Sequence, residues 1–166
     1  LDGRRPFYAM ERVRGQALDR LIANTDSFRA RLALLPHVIA LADALAFAHR
    51  EGVIHRDLKP ANIMVGKYGE TLVVDWGLAK PIGQSEAHAT AAEVSLIQVG
   101  GDGDSARTQM GQAVGTPQYM SPEQAAGRHD ELTGATDVYA LGAVLYSILS
   151  GKPPSSERIV LRTSRW

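Results

Sequence analysis

Residues 53–77 constrain the fold of this chain more than any other stretch, because they place acidic and amide side chains at fixed spacing. They contain HRDLKPAN at residues 55–62 and end with DWG. A phosphoryl-transfer site requires a carboxylate near the incoming hydroxyl and hard oxygen ligands for magnesium. Asp57, Asn62 and Asp75 supply these groups within one hairpin-sized span. The spacing therefore predicts phosphoryl-transfer chemistry.

Short apolar pieces flank this motif. Residues 53–54 and 63–65 are apolar, and residues 71–74 are mostly β-branched and follow a turn at residues 67–70. β-branched residues favour strands, whereas glycine and polar residues favour turns. The pattern predicts a small hairpin in which these pieces together carry the motif on a loop.

At these residues the sequence resembles the protein kinases, in particular the bacterial eukaryotic-type serine/threonine kinases. Further blocks occur in the family's order: MERVRG at residues 10–15, GTPQYMSPE at residues 115–123 and DVYALG at residues 137–142. The resemblance implies an α+β, protein kinase-like fold that consists mainly of the helical large lobe. It assigns residues 1–154 to a partial kinase domain and leaves residues 155–166 as an unassigned tail.

The resemblance also implies roles in catalysis. Asp57 accepts or orients the proton of the substrate hydroxyl, Lys59 neutralises the transferring phosphate, and Thr116 contacts both residues. Asn62 and Asp75 hold Mg²⁺. Taken singly, each residue also fits a structural role, such as a loop ion pair or a turn. Their joint occurrence at this spacing favours the catalytic interpretation.

ATP is the second cofactor that the resemblance implies. Met10 lies at the back of the adenine pocket, Glu11 to Val13 offer backbone groups to the adenine edge, and Asp19 reaches the ribose. The alternatives are an ordinary core strand over residues 7–13 and a solvated helix carboxylate at Asp19.

Two stretches predict long helices. In the first stretch, Ser27 can cap the start of the helix and Gly52 can end it. Pro36 either kinks this helix or marks its first turn. Its apolar residues at helical spacing are Val38, Leu41, Ala42, Leu45 and Ala48. His49, at its polar end, is interpreted as a solvated cap residue. The second helix covers residues 133–151 and is strongly apolar.

Three side chains link these elements to the motif by resemblance. Asp137, near the start of the second helix, matches a buried carboxylate that receives backbone amides from the catalytic loop, although a plain first-turn acid is the alternative. Glu123 matches a residue that pairs with an arginine of a later helix, which this sequence lacks. Trp76 replaces the usual phenylalanine, and we expect it to pack under His55.

Residues 79–111 are rich in Gly, Ala, Ser, Asp and Gln and predict a long mobile loop, the activation segment of the resemblance. Ser105 and Thr108 are candidate phosphorylation sites, because an added phosphate there could pair with Arg56. The alternative is that neither hydroxyl is modified.

Composition narrows the remaining possibilities. The 166 residues are 45% hydrophobic, which suits one domain, and the 18 basic and 18 acidic residues give no reason to expect a nucleic-acid partner. Without cysteine the chain has neither disulfides nor thiolate zinc sites. We expect no membrane segment in this chain and a cytoplasmic location. Since the chain begins with Leu1, we also expect it to be a fragment.

These observations predict a serine/threonine protein kinase fragment that transfers the ATP γ-phosphate to protein hydroxyls. We expect this chain alone to be weakly active or inactive, because a glycine-rich loop, a strand lysine and its partner glutamate are missing from it. The alternative is a non-catalytic kinase-like module that binds a partner protein. A small-molecule phosphotransferase is less favoured, because Lys59 and residues 115–123 match kinases that act on peptides.

Overall fold

The structure, a computed structural model, describes residues 12–81 and 116–154. Several residues that the sequence singled out therefore lie outside the described part of the chain: Met10, Glu11, Ser105, Thr108 and Gly115. The mobile loop predicted for residues 79–111 lies outside it from residue 82 onward, as does the tail at residues 155–166.

Five helices and five short strands make up the described residues. The helices are α1 (Leu18–Ala23), α2 (Phe28–Arg31), α3 (Leu35–Arg50), α4 (Pro122–Ala125) and α5 (Gly134–Ser150). The strands are β1 (Gln16–Ala17), β2 (Val53–Ile54), β3 (Ile63–Val65), β4 (Thr71–Val73) and β5 (Lys80–Pro81). Single 3₁₀ turns at Leu32–Leu34, Pro60–Asn62, Trp76–Leu78 and His129–Glu131 complete the fold.

The strands form two small antiparallel sheets. One has the order β1-β3-β4, with Gln16 opposite Val65 and Ile63 opposite Val73. In the other, β2 pairs with β5. The hairpin predicted for β3 and β4 is confirmed, but including residues 53–54 in it was wrong. After β2 the chain turns away through Arg56, which has a φ of 72°, and through the 3₁₀ turn.

Two further strand predictions differ from the structure. Residues 7–13 were predicted as a strand, but Arg12 and Val13 are irregular, and the rest of that range is not described. Conversely, Lys80 and Pro81 fall at the start of the predicted loop, yet they form β5. Pro81 cannot donate a ladder hydrogen bond, but a two-residue strand at a sheet edge tolerates this.

Helix α3 begins where its proline allows. Pro36 lies in the first turn, where its missing N–H has no intrahelical partner to lose, so it starts the helix and does not kink it. The Ser27 side chain caps α2, accepting from Ala30 N at 3.1 Å, and therefore does not cap α3 directly. Gly52, with a φ of 76°, follows the end of α3 and ends it as predicted.

Helix α5 has clear signals at both ends. The Thr133 hydroxyl accepts from Ala135 N at 3.3 Å, and Thr133 N donates to the Thr136 hydroxyl at 3.3 Å. Gly151, with a φ of 73°, ends the helix in the left-handed region, where glycine has no steric cost. The predicted limits of this helix are confirmed.

The hydrophobic core lies between α1, α3, α5 and the motif. Its buried members are Leu18, Ile22, Leu41, Leu45, Leu58, Ile63, Ala140, Val144 and Ile148. Burying one of the leucine, isoleucine or valine side chains stabilises the fold by roughly 1.5–3 kcal/mol. Because Leu58 lies inside the HRDLKPAN motif and Ile63 directly follows it, core packing also holds the motif in place.

Residues 28–50 form a helical stretch that is long and apolar enough to cross a membrane by length and composition. The core helix of a soluble protein and a signal sequence pass the same test, and 11% of the apolar window is buried inside the structure. This stretch is therefore weak evidence for a membrane span. The expectation of no membrane segment stays a prediction.

Candidate active site

Asp57 lies at the centre of the site, and its side chain is 9% exposed. Its Oδ2 accepts from Lys59 Nζ at 2.7 Å and from Asn62 Nδ2 at a longer 3.4 Å. Its Oδ1 accepts from Thr116 N at 3.0 Å and from Thr116 Oγ1 at 3.2 Å. Donors on both oxygens hold the carboxylate in one orientation.

Lys59 and Thr116 also contact each other. Lys59 Nζ donates to Thr116 Oγ1 at 2.9 Å, so this hydroxyl accepts from Lys59 while it donates to Asp57. The predicted contact of Thr116 with both residues is confirmed. Their catalytic roles stay predictions at this point.

Local geometry explains why these residues converge. Pro60 begins a 3₁₀ turn in which Asn62 N donates to Lys59 O at 2.9 Å. The Asn62 carboxamide then reaches back, and its Nδ2 donates to Asp57 O at 2.9 Å. Leu58, 1% exposed, anchors the middle of the loop in the core. The spacing of HRDLKPAN thus folds the loop onto itself.

Asn62 and Asp75 lie on neighbouring segments of the chain, since Val74 N, one residue before Asp75, donates to Asn62 O at 2.9 Å. The Asn62 amide nitrogen is engaged by Asp57, which leaves its Oδ1 available to a cation. Asp75 is exposed, has a φ of 63°, and its carboxylate makes no hydrogen bond to the described residues. One carboxylate and one amide oxygen fit Mg²⁺, which keeps several waters or phosphate oxygens as its other ligands.

No group of three or more His, Cys, Asp or Glu side chains suited to a metal occurs within residues 12–81 and 116–154. A magnesium ion at Asn62 and Asp75 therefore has to draw its remaining ligands from water or from a bound phosphate. This is the arrangement usual for magnesium in phosphate-transfer sites.

His55 is fully buried beneath the site. Its Nδ1 accepts from Asp57 N at 3.3 Å, and its Nε2 lies 3.2 Å from Val74 O. An acceptor at Nδ1 and a donor at Nε2 describe the neutral Nε2–H tautomer. The ring lies 4.7 Å from that of Trp76, centroid to centroid, and at 60° to it. The predicted packing of Trp76 on His55 is confirmed.

Asp137 holds the start of the motif from α5. Its buried carboxylate accepts from His55 N at 2.8 Å and from Arg56 N at 2.9 Å, as predicted. Its Oδ2 also lies 2.8 Å from His49 Nε2. The interpretation of His49 as a solvated cap residue was therefore wrong. At the end of α3 it is the third hydrogen-bond partner of Asp137.

The segment after Thr116 packs onto α5. Glu123 Oε1 accepts from Thr136 Oγ1 at 2.9 Å, so within the described residues this hydroxyl takes the place of the expected arginine. Burial alone raises the pKa of Glu123, but hydrogen bonds from its own backbone, Ser121 and Thr136, with the charge of Arg128, lower it overall.

Tyr119 belongs to the same packing. Burial raises the pKa of its phenol, while a hydrogen bond to Ser147 at 3.2 Å partly opposes the rise. The phenol therefore stays neutral and joins this segment to α5.

Two of the residues predicted to contact the nucleotide, Val13 and Asp19, lie in the described part of the chain. Val13 is 41% exposed, and Asp19 is exposed on α1, where its Oδ1 accepts from Arg20 N at 2.7 Å. Helix α1 packs against the Pro60–Asn62 turn. Asp19 therefore lies on a helix that packs beside the motif, and the roles of Val13 and Asp19 stay predictions.

Sequence reasoning missed Gln124, which is 2% exposed and donates from Nε2 to Arg56 O at 2.6 Å. The pattern Ser121-Pro122-Glu123-Gln124 does carry a signal, because serine followed three residues later by glutamine marks a helix start. That signal predicts the capping of α4. It does not reveal the contact with the motif.

The contacts around Asp57 are those that the resemblance to protein kinases implied, and the comparison with known families agrees. The family model described as Protein kinase domain matches residues 3–164. The chain therefore belongs to the protein kinase domain family, as its motifs predicted.

Its relatives include bacterial serine/threonine kinases. The chain is 40% identical over 161 residues to the serine/threonine-protein kinase PknD of Protochlamydia amoebophila, covering 89% of this chain and 16% of that protein. It is 39% identical over 149 residues to the serine/threonine-protein kinase PknB of Mycobacterium leprae, covering 90% and 20%. A probable serine/threonine-protein kinase PknB of Corynebacterium glutamicum is 36% identical over 149 residues, with the same coverage. The chain spans only 16–20% of the length of these relatives.

Proposed function

We propose that the full-length protein carrying this chain transfers the γ-phosphate of ATP to serine or threonine hydroxyls of a protein substrate. The observation that carries the proposal is the Asp57 carboxylate, held by Lys59 and by Thr116. Relatives whose names state this activity support it. The proposal includes residues 1–154 as part of one kinase domain and a cytoplasmic location.

Each side chain has a specific task in this proposal. Asp57 orients the substrate hydroxyl and accepts its proton, since its fixed carboxylate can receive one more donor from the open side. The Lys59 ammonium lies 2.7 Å from the Asp57 carboxylate. From this position its positive charge can neutralise the phosphate that is transferred to the substrate hydroxyl. Thr116 keeps both groups in register.

Asn62 and Asp75 present the oxygen atoms that hold magnesium in this proposal. The metal, when bound, neutralises charge on the ATP phosphates. Because Asn62 also bonds to Asp57 O, the metal ligand and the proton acceptor are positioned by one side chain.

The test is phosphate incorporation into a generic basic protein by the full-length protein and by its Asp57→Ala variant. A positioned base contributes about 10²- to 10⁴-fold, so we expect the variant to lose activity by that factor while its far-UV spectrum remains that of a folded protein. Asp43→Ala, at an exposed position of α3, is the matched control. Undiminished incorporation by the Asp57 variant would contradict the assignment.

The non-catalytic alternative predicts a different result. Wild-type full-length protein that folds and binds a partner protein, but incorporates no phosphate with either manganese or magnesium, would support a binding module instead.

A further inference from the structure

We propose that Gln124 is a positioning residue for the catalytic loop. It acts through Arg56 and fixes the peptide unit from which Asp57 projects. The inference rests on the proposed function, because it assigns Gln124 a part in the same phosphate transfer.

The carboxamide of Gln124 is buried and bonded at both ends. Its Nε2 donates to Arg56 O at 2.6 Å, and its Oε1 accepts from Ser121 N at 3.1 Å. The two partners determine the orientation of the amide, since a backbone N–H can only donate and a carbonyl can only accept. A side chain of this length with a donor at one end and an acceptor at the other satisfies both groups.

Arg56 needs to be held because of its backbone conformation. Its φ of 72° lies in the left-handed region, which costs a residue with a Cβ roughly 1 kcal/mol or more. Asp137 Oδ1 accepts from the N–H of Arg56 at 2.9 Å, and Gln124 binds its carbonyl. The two contacts lie on opposite sides of the Arg56 Cα and together hold it in the left-handed region.

The carbonyl contact bears directly on Asp57. Arg56 C=O and Asp57 N–H belong to one planar peptide unit, so fixing the carbonyl also fixes the direction of the N–H. That N–H donates to His55 Nδ1 at 3.3 Å. Gln124 therefore sets the orientation of the peptide that leads into the Asp57 side chain.

Gln124 also connects two parts of the site. Thr116 and Gln124 belong to one continuous segment, and each contacts the catalytic loop, Thr116 at the Asp57 carboxylate and Gln124 at the Arg56 carbonyl. A displacement of this segment thus reaches both the carboxylate and the backbone that carries it. The segment and the catalytic loop are expected to move together.

The experiment compares Gln124→Leu and Gln124→Glu in the full-length protein, with Thr133→Ala as control. Thr133→Ala removes a helix cap from α5 without touching Arg56, and it is expected to lower the melting temperature and leave kcat unchanged. For Gln124→Leu we expect kcat to fall about 10- to 100-fold, as for other small misplacements of a catalytic group, with KM for ATP unchanged. An unaltered kcat in a folded Leu variant would overturn the proposal, as would an equal loss in the control.

The pH dependence of kcat in Gln124→Glu distinguishes a positioning role from a merely structural one. Ionised, the new carboxylate still accepts from Ser121 N but faces the Arg56 carbonyl without a proton to donate. Protonated, it donates again, so the ratio of variant to wild-type kcat should rise as the pH falls from 8 to 5.5. The ratio is taken at each pH because both proteins keep the same titratable groups around this position: His55, Asp57, Glu123 and Asp137. A ratio that is flat or falls with acid would count against the proposal.

A third measurement separates this inference from the proposed function. If wild-type protein incorporates no phosphate, the proposed function fails, and hydrogen exchange of the peptide covering residues 53–62 then decides the role of Gln124. Faster exchange in that peptide in Gln124→Leu, but not in Thr133→Ala, supports the positioning of Arg56. Equal exchange in wild type and Gln124→Leu would overturn it.

Discussion

His49 Nε2, at the end of α3, lies 2.8 Å from the carboxylate of Asp137, at the start of α5. The two residues are 88 positions apart in the chain, and Asp137 also accepts the backbone N–H of His55 and of Arg56. One buried carboxylate therefore joins both core helices to the HRDLKPAN loop. Its loss should affect folding and activity together.

We expect Asp137→Ala to destabilise this chain strongly. The substitution removes the carboxylate that accepts from the backbone N–H groups of His55 and Arg56, and losing the acceptor of a buried donor costs about 1–3 kcal/mol. Urea unfolding followed by circular dichroism measures the change in the free energy of unfolding. Asp130→Ala, at an exposed position, is the control, and equal midpoints for the two variants would contradict the role assigned to Asp137.

His49→Leu should destabilise the chain less than Asp137→Ala, by about 1 kcal/mol. Asp137 keeps both backbone donors in this variant, so only one hydrogen bond is lost. A double-mutant cycle with Asp137→Asn tests the contact directly, since residues in contact couple by about 0.5–3 kcal/mol. Additive effects would mean that the contact contributes nothing to stability.

Thr116→Val should lower phosphate transfer by the full-length protein, whereas Thr116→Ser should retain it. Valine keeps the backbone bond to Asp57 but removes the hydroxyl that bridges Asp57 and Lys59. A hydrogen bond to a charged group contributes about 1.5–3 kcal/mol, which corresponds to roughly 10- to 100-fold in rate. Steady-state kinetics at saturating ATP measures it, and equal rates for the Val and Ser variants would refute the bridge.

Glu123 should stabilise the fold at neutral pH and lose this contribution in acid. Its pKa is lowered in the folded state relative to the ordinary value of 4.5, chiefly by hydrogen bonds that outweigh burial. A lowered pKa stabilises the fold above the unfolded value, and this stability is lost as the pH falls through the folded pKa. We therefore expect Glu123→Gln to reduce the difference in melting temperature between pH 6 and pH 3. If the difference in melting temperature is the same in Glu123→Gln and in the wild type, Glu123 does not contribute to the loss of stability in acid.

This 166-residue chain by itself should bind ATP weakly and depend on magnesium for what binding remains. Asn62 and Asp75 are the groups available to hold the metal, so Asp75→Ala should abolish the magnesium-dependent part. Isothermal calorimetry with and without magnesium measures it, with Asp43→Ala as control. Micromolar affinity without magnesium would disprove the prediction.

Much of the candidate site could be predicted from the sequence because its residues lie close together in the chain. Asp57, Lys59 and Asn62 fall within one loop, and their contacts follow from a single 3₁₀ turn. The helix limits at Gly52 and Gly151 were equally local, since each glycine is required by a left-handed conformation at its own position. For the more distant Thr116 and Asp137, the contacts with this loop were predicted from the resemblance to protein kinases.

Contacts between distant segments were harder to predict, and the errors fall there. His49 had a plausible solvated role at a helix end until α5 placed Asp137 beside it. Val53–Ile54 was predicted to belong to the neighbouring hairpin. In the structure the chain turns at Arg56, and Val53–Ile54 pairs with Lys80–Pro81 instead.

By itself, then, the sequence determined the chemical groups of the site, the family, and where α3 and α5 end, because motif spacing and capping residues act within a few positions. Only the tertiary structure decided which strand pairs with β2, that His49 binds Asp137, and that Gln124 holds the Arg56 carbonyl. The physical reason is that a buried polar group has to find a partner wherever packing brings one within about 3 Å. Local periodicity carries no information about which distant residue that will be.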